Sequence, residues 1–215
     1  MKTTLTSLAI ILFSCTIQSQ IVNIPDIVFK AYLVGESSIN TNGDSEIDAI
    51  EAAAFNGVID VDNKGIVDLT GIEAFKALTY LNCVGNKFTS LDISKNTALV
   101  WLDCHKNSLG SIDVSKNTAL KYLYCYDNKL TSLDVSNNAV LLELDCNSNS
   151  LTSLDVRNGN NLNMHGIDFS NNPALNCIQV DNETWAKTNW SSVLIKDAHA
   201  LYSNDCKTLG ISVLT

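Results

Sequence analysis

The chain is poor in positive charge, and this deficit excludes several kinds of partner. Among its 215 residues, 14 Lys and Arg are outnumbered by 23 Asp and Glu, which gives a formal net charge of −9. Binding to phosphate backbones or to anionic lipid surfaces needs clustered cations. We therefore expect no nucleic-acid partner.

The sequence also has few histidines and none of the common catalytic motifs. Its three histidines are His105, His165 and His199. None of them belongs to a nucleophile elbow, to the zinc-binding pattern H-E-x-x-H or to a glycine-rich phosphate loop. Without converging catalytic groups, the chain is expected not to be an enzyme.

Long apolar runs are missing as well. Residues 1–19 contain one cation, a short apolar stretch and then small and polar residues, a pattern typical of a secretory leader. Downstream, no run of about 18 consecutive apolar residues occurs, so no transmembrane segment is expected. We expect a secreted or cell-surface bacterial protein. The alternative is a lipoprotein anchored through Cys15, because the tripeptide before this cysteine resembles a lipoprotein box.

Repetition is the main positive feature of the sequence. Four cysteines stand 21 residues apart and close the similar phrases LTYLNC, LVWLDC, LKYLYC and LLELDC. They are Cys83, Cys104, Cys125 and Cys146. A fixed period of this length indicates a solenoid, in which each repeat buries its apolar side against its neighbours. Since the cysteines form a single file and not the paired C-x-x-C spacing of a zinc site, we expect them to fill the core.

Each repeat carries two short alternating apolar patterns separated by a turn. In the first repeat these are Leu81-x-Cys83 and Leu91-x-Ile93, so each coil should contribute two short strands. Asparagines recur at both turns, where their amides can satisfy backbone groups of adjacent coils. The turn asparagines are Asn86, Asn107, Asn128 and Asn149 at the first turn, and Asn96, Asn117 and Asn138 at the second.

The phrase L-x-x-L-x-C-x-x-N-x-L-x-x-L-D-V-x-x-N resembles leucine-rich repeats, specifically the 21-residue variety sometimes called IRREKO. The resemblance covers about residues 78–172, and the run that begins at Ile66 looks like an additional leading coil. It implies a right-handed solenoid with a parallel sheet along one face, often devoted to binding proteins or glycans. We expect a leucine-rich-repeat solenoid, mostly β, between a small helical N-terminal cap and a disulfide-tied C-terminal cap.

These observations divide the chain into five parts. The expected boundaries are a leader at 1–19, the N-terminal cap and leading coil at 20–77, repeats at 78–176, a C-terminal cap at 177–206 and a tail at 207–215. Cys177 and Cys206 are the remaining cysteines of the mature chain, and in an oxidising compartment they should form a disulfide. Similar repeat proteins end in a comparable segment.

The N-terminal cap contains a candidate calcium loop, NTNGDSEIDAIE, at residues 40–51. Oxygen-bearing side chains occupy places one, three, five, seven, nine and twelve of the loop: Asn40, Asn42, Asp44, Glu46, Asp48 and Glu51. The segment resembles an EF-hand loop between two helices, although Ser45 replaces the sixth-place glycine and the first place holds Asn instead of Asp. The alternative is a polar turn that joins two helices. No cofactor is required, and calcium is the candidate ligand.

The outward positions of the first strand form the candidate binding face. The residues predicted to bind are Tyr80, Trp101, Asp103, His105, Tyr122, Tyr124 and Tyr126. Stacked aromatic side chains are suited to a protein hot spot or to sugar rings. The predicted function is therefore recognition of a protein or glycan by a secreted, monomeric module. The alternative is a structural spacer or adhesin stalk, with or without calcium, in which the aromatic pairs only stabilise an exposed sheet.

A ladder of aspartates marks the second strand of each coil. Its members, each preceded two residues earlier by a serine, are Asp92, Asp113, Asp134 and Asp155. Carboxylates one coil apart repel each other by about 1 kcal/mol in water. We expect an exposed face hydrogen-bonded to nearby serines and backbone amides, and the alternative is a face bridged by calcium.

Overall fold

The chain winds into a β-solenoid of about seven turns with few helices. The computed structural model describes residues 19–192 and 195–209. The predicted leader up to residue 18, including Cys15, and the end of the predicted tail lie outside these residues.

Within the described residues, ten strands, each three residues long, build the solenoid wall. In chain order they are β1 Val58–Asp60, β2 Tyr80–Asn82, β3 Trp101–Asp103, β4 Tyr122–Tyr124, β5 Ser132–Asp134, β6 Glu143–Asp145, β7 Ser153–Asp155, β8 Gly166–Asp168, β9 Cys177–Gln179 and β10 Leu201–Ser203. All their pairings are parallel. The first sheet has the order β1-β2-β3-β4-β6-β8, and the second has the order β10-β9-β7-β5.

The register of the first sheet follows the repeat. Tyr80 pairs with Trp101, Trp101 with Tyr122, and Tyr122 with Glu143, so neighbouring strands are related by 21 residues. Glu143 then pairs with Gly166, because the repeat between them is two residues longer and carries a 3-10 turn before β8. The solenoid predicted from the 21-residue period is confirmed.

The second sheet is shorter than the predicted pattern of two strands in every coil. It begins at β5, whereas the matching segments 90–92 and 111–113 belong to no strand. These segments line a groove of about 410 Å³ together with residues 68–70 and Glu73 of the leading coil. In the part of the chain that the structure describes, two strands per coil form only from the coil of β4 and β5 onward.

The ladder cysteines lie in the core, as predicted. Each follows a first-sheet strand whose central leucine is buried, and all four thiols are free and fully buried. Burial raises the pKa of the Cys104 thiol, so the inert protonated form is favoured. Phe169 continues the file in the degenerate coil. The cysteines act as small apolar residues that pack between coils.

Both asparagine ladders connect adjacent coils, again as predicted. In the first ladder, the Asn128 amide donates to the Cys104 carbonyl at 3.1 Å, and its oxygen accepts from the Leu109 N–H at 2.9 Å. In the second, the Asn117 amide donates to the carbonyls of Ile93 and Asn96 at 3.0 and 2.9 Å. The first ladder therefore uses donor and acceptor, whereas the buried Asn117 Oδ1 has no partner.

The N-terminal cap contains the two helices expected around the 40–51 loop. They are α1, Ile27–Gly35, and α2, Ala49–Ala54. Phe29 and Leu33 of α1 are fully buried in the apolar core. Helix α1 thus covers the N-terminal end of that core.

The C-terminal cap combines the predicted disulfide with an extension of the second sheet. Cys177 and Cys206 are bonded, and β9 and β10 continue the solenoid wall past the repeats. Helix α3, Glu183–Asn189, leads into Trp190, whose ring meets the Phe169 ring edge to face at 6.1 Å. This packing closes the core where the cysteine file ends.

Candidate functional site: the aromatic face of the first sheet

Strand alternation places three rows of side chains on the outside of the first sheet. The central residue of β2, β3, β4 and β6 is buried, and the residues on either side are half-buried and point outward. The first row is Val58, Tyr80, Trp101, Tyr122, Glu143 and Gly166; the second is Asp60, Asn82, Asp103, Tyr124, Asp145 and Asp168. The third row, two residues further along each strand, is Val84, His105, Tyr126 and Asn147. We call these three rows the aromatic face.

The aromatic rings form one cluster centred on Trp101. The Tyr80 and Trp101 rings are nearly parallel, with centroids 5.4 Å apart. Trp101 also lies 4.8 Å from Tyr122 and 5.0 Å from Tyr124. A tryptophan with three tyrosine neighbours, all half-buried, is a rigid amphipathic surface of the kind that protein hot spots use.

A second ring pair lies in the third row. The His105 and Tyr126 rings stack with centroids 4.0 Å apart. The His105 Nδ1 lies 2.6 Å from Asp103 Oδ1, which fixes the orientation of the imidazole. The structure thus brings all seven predicted binding residues to the same side of the sheet.

Carboxylates surround the rings and are partly desolvated. The Tyr124 hydroxyl donates to Glu143, and burial together with this bond raises the pKa of Tyr124. Burial and the nearby charge of Asp168 raise the pKa of Asp145. Asp145 and Asp168 are register partners on adjacent strands, so their charges repel each other.

Within the described ranges, histidines are the only basic side chains paired with these carboxylates. His105 pairs with Asp103, and His165 Nε2 lies 3.3 Å from Glu143 Oε1. The salt bridges of lysine and arginine within residues 19–192 and 195–209 all involve carboxylates elsewhere on the molecule. Lysine and arginine side chains in these ranges therefore form no salt bridge with the carboxylates of the aromatic face.

Sequence reasoning missed the two ends of this face. Val58 and Asp60 belong to β1, a strand upstream of the recognised repeats, and Asp168 belongs to the degenerate coil. The alternation of Val58, Asp60 and the buried residues between and after them is the signal for β1, but it occurs only once. A pattern without a repeat is weak evidence for a strand.

The aspartate ladder lies on the second face and has two environments. Asp92 and Asp113 are exposed, and each accepts a hydrogen bond from the backbone N–H two residues later, at 2.9 and 2.8 Å. These bonds lower the pKa of both carboxyls. Asp155 is buried instead and pairs with Arg157. Hydrogen bonding to the local backbone is the arrangement expected of a solvated ladder.

The oxygens of the candidate calcium loop take part in internal hydrogen bonds. Glu51 Oε1 accepts from the backbone N–H groups of Thr41 and Asn42, while Oε2 accepts from that of Asp48. Glu46 pairs with Lys30 at 2.6 Å. No group of three or more His, Cys, Asp or Glu side chains in the described part of the chain is arranged to hold a metal ion. The calcium loop stays a prediction.

No helix within the described ranges is long and apolar enough to cross a membrane.

Solved structures of bacterial leucine-rich-repeat proteins resemble this chain. The functional domain of InlJ from Listeria monocytogenes, which includes a cysteine ladder, shares 35% sequence identity and a TM-score of 0.59 over 76% of this chain. This chain spans 38% of that structure. The internalin InlF from the same species has 18% sequence identity and a TM-score of 0.48. That match covers 78% of this chain and 60% of the InlF chain. Neither the family models nor the curated proteins gave a match. The fold is a leucine-rich-repeat solenoid.

Proposed function

We propose that the protein is a recognition module that binds another protein through its aromatic face. The observation that carries this proposal is the half-exposed cluster of Tyr80, Trp101, Tyr122 and Tyr124, in which every ring contacts Trp101. Tryptophan and tyrosine dominate the energetics of protein interfaces because they bury a large area at a small cost in side-chain entropy.

The charge of the face favours binding over a purely structural role. Cross-strand aromatic pairs stabilise a sheet by about 0.2–1 kcal/mol each, which a spacer would also use. Asp145 and Asp168 each accept a hydrogen bond from the backbone N–H two residues later, as the second-face aspartates do, but burial raises the pKa of Asp145 and like charges on adjacent strands destabilise the sheet, so this charge is held at a cost. A binding partner of opposite charge would recover this cost.

We also propose that the chain works outside the cytoplasm. The disulfide between Cys177 and Cys206 supports this, because such bonds persist in oxidising compartments. The predicted leader supports secretion, and a lipid on Cys15 is the alternative form of attachment. Palmitate labelling of the expressed full chain distinguishes the two: a label lost in Cys15→Ala indicates the lipoprotein, and an unlabelled protein in the medium indicates free secretion.

A pull-down with matched variants tests the binding proposal. The immobilised protein is exposed to cell-surface extracts, and captured proteins are identified by mass spectrometry. We expect a specific partner to be retained by the wild type and lost from a Trp101→Ala, Tyr122→Ala double variant. The control is Asp92→Asn, Asp113→Asn, which alters the second face and should retain the partner.

Other outcomes identify the alternatives. A partner retained equally by the wild type and the aromatic double variant contradicts the proposal, and the absence of any partner favours the spacer. A glycan array probed with the same variants detects a glycan ligand, which would bind to the wild type and not to the aromatic double variant.

A further inference from the structure

We infer that the aromatic face recognises an extended basic segment of its partner, with Arg or Lys at every third position. This inference rests on the proposed function and adds the chemistry of the partner. It follows from the spacing of the carboxylates in the second row and from the rings beside them.

The first step is charge. The second row contains the carboxylates of Asp60, Asp103, Asp145 and Asp168, and no lysine or arginine within the described ranges forms a salt bridge with any of them. These groups are also too dispersed to share one metal ion, since no metal-holding cluster is found among the described residues. Separate monovalent cations on a partner chain are the charges that match them.

The second step is spacing. Asp60 and Asp103 are two strands apart, with Asn82 between them, and Asp103 and Asp145 are again two strands apart, with Tyr124 between them. Strands in a sheet lie about 4.8 Å apart, so each step between these carboxylates is about 9.6 Å. One turn of polyproline II contains three residues, spans about 9.3 Å and brings every third side chain back to the same side of the segment. A segment that crosses the strands can therefore meet one carboxylate with every third residue.

The third step is the apolar row beside the carboxylates. Val58, Tyr80, Trp101 and Tyr122 lie two residues before the second row on the same strands, a distance of about 6.6 Å. The methylene stems of Arg and Lys cover apolar surface while their charged ends remain at its border. The rings would thus pack against these stems and exclude water from the ion pairs, which strengthens them.

The desolvation of Asp145 agrees with this arrangement. Burial raises its pKa, and Asp168 adds to the effect, so the ionised carboxylate is held at a cost that a partner cation would offset. Asp92 and Asp113 on the second face have lowered pKa values from backbone hydrogen bonds and lack a comparable aromatic row. They provide a control with the same formal charge.

The test uses two fluorescein-labelled peptides of identical composition. In the first, Arg-Ser-Pro is repeated three times; in the second, the three arginines are consecutive and the Ser-Pro pairs follow. Binding is measured by fluorescence anisotropy at low and high salt. We expect the wild type to bind the spaced peptide at least about fivefold more tightly than the clustered one, and salt to weaken this binding.

Matched variants separate specific recognition from overall charge. Asp103→Asn, Asp145→Asn should weaken binding of the spaced peptide about tenfold, since each exposed or half-exposed ion pair contributes modestly. Asp92→Asn, Asp113→Asn removes the same charge from the second face and should change the affinity less than about twofold. Thermal unfolding of each variant checks that the solenoid is intact.

Several results would overturn the inference. A spaced basic partner is contradicted if the two peptides bind with equal affinity or if neither binds. It is also contradicted if the two double variants lose equal affinity, or if salt does not change the affinity. Such a failure is distinguishable from failure of the proposed function. If a partner is still captured through Trp101 and Tyr122, the aromatic face binds protein by a different chemistry.

Discussion

Removing one rung of the first asparagine ladder should destabilise the whole stack. Asn149 is buried, and its amide donates to the carbonyls of Cys125 and Cys146 at 3.1 Å. Its oxygen accepts from the Leu130 N–H at 2.9 Å. Asn149→Ala leaves that buried N–H without an acceptor, which costs about 1–3 kcal/mol, and the carbonyls that lose a donor add to the cost. We expect the free energy of unfolding to fall by about 3 kcal/mol.

Urea unfolding followed by circular dichroism measures this loss, and thermal unfolding should show a decrease in Tm of about 6–12 °C. The control is Asn82→Ala. Asn82 is half-buried on the aromatic face, and its side chain accepts one hydrogen bond, from Val84 N–H at 3.3 Å. This control should cost less than about 0.5 kcal/mol. If Asn149→Ala costs less than about 1 kcal/mol, or no more than the control, the ladder does not stabilise the coils.

Four further predictions concern the core, the cap, the face and the loop. Cys104→Ser should be less stable than Cys104→Ala by about 1 kcal/mol, because it buries a hydroxyl in an apolar file; equal Tm values would contradict this. Replacing Cys177 and Cys206 by Ala should lower the free energy of unfolding by about 3–4 kcal/mol, since the bond closes a loop with a sequence separation of 29; an unchanged urea midpoint would refute it. Asp145→Asn should stabilise the protein at pH 7, because the wild-type carboxyl, whose pKa is raised in the folded state, is ionised there at a cost. This gain should vanish near pH 3, where the carboxyl is protonated in both the folded and the unfolded state. Millimolar calcium should leave Tm unchanged, because Glu51 would have to give up its internal hydrogen bonds to bind the ion; a rise of several degrees would establish the calcium loop.

The stacked coils were predictable from the period, whereas strand β1 and the missing second strands at 90–92 and 111–113 were not. The burial of Cys104 and the pairing of Trp101 with Tyr122 follow from the period, because four coils of similar sequence pack against each other in the same way. Strand β1 has no such support. Nor does sequence indicate that the second strand is missing at 90–92, since Leu91 fits the strand pattern there as well as its counterparts do later.

The two outer faces of the solenoid differ in how strictly their residues repeat, and this contrast favours recognition by the first. On the second face, every full repeat places an aspartate at the same outward position, and at Asp92 and Asp113 the side chain accepts a hydrogen bond from the backbone two residues later. A structural requirement common to all coils explains a residue that does not vary. On the first face, the matching position holds Tyr80, Trp101, Tyr122 and then Glu143, although the buried leucine beside each is the same. Packing therefore leaves these outward positions unspecified. Packing of the core does not require aromatic residues here, and a partner that contacts several coils at once would account for them.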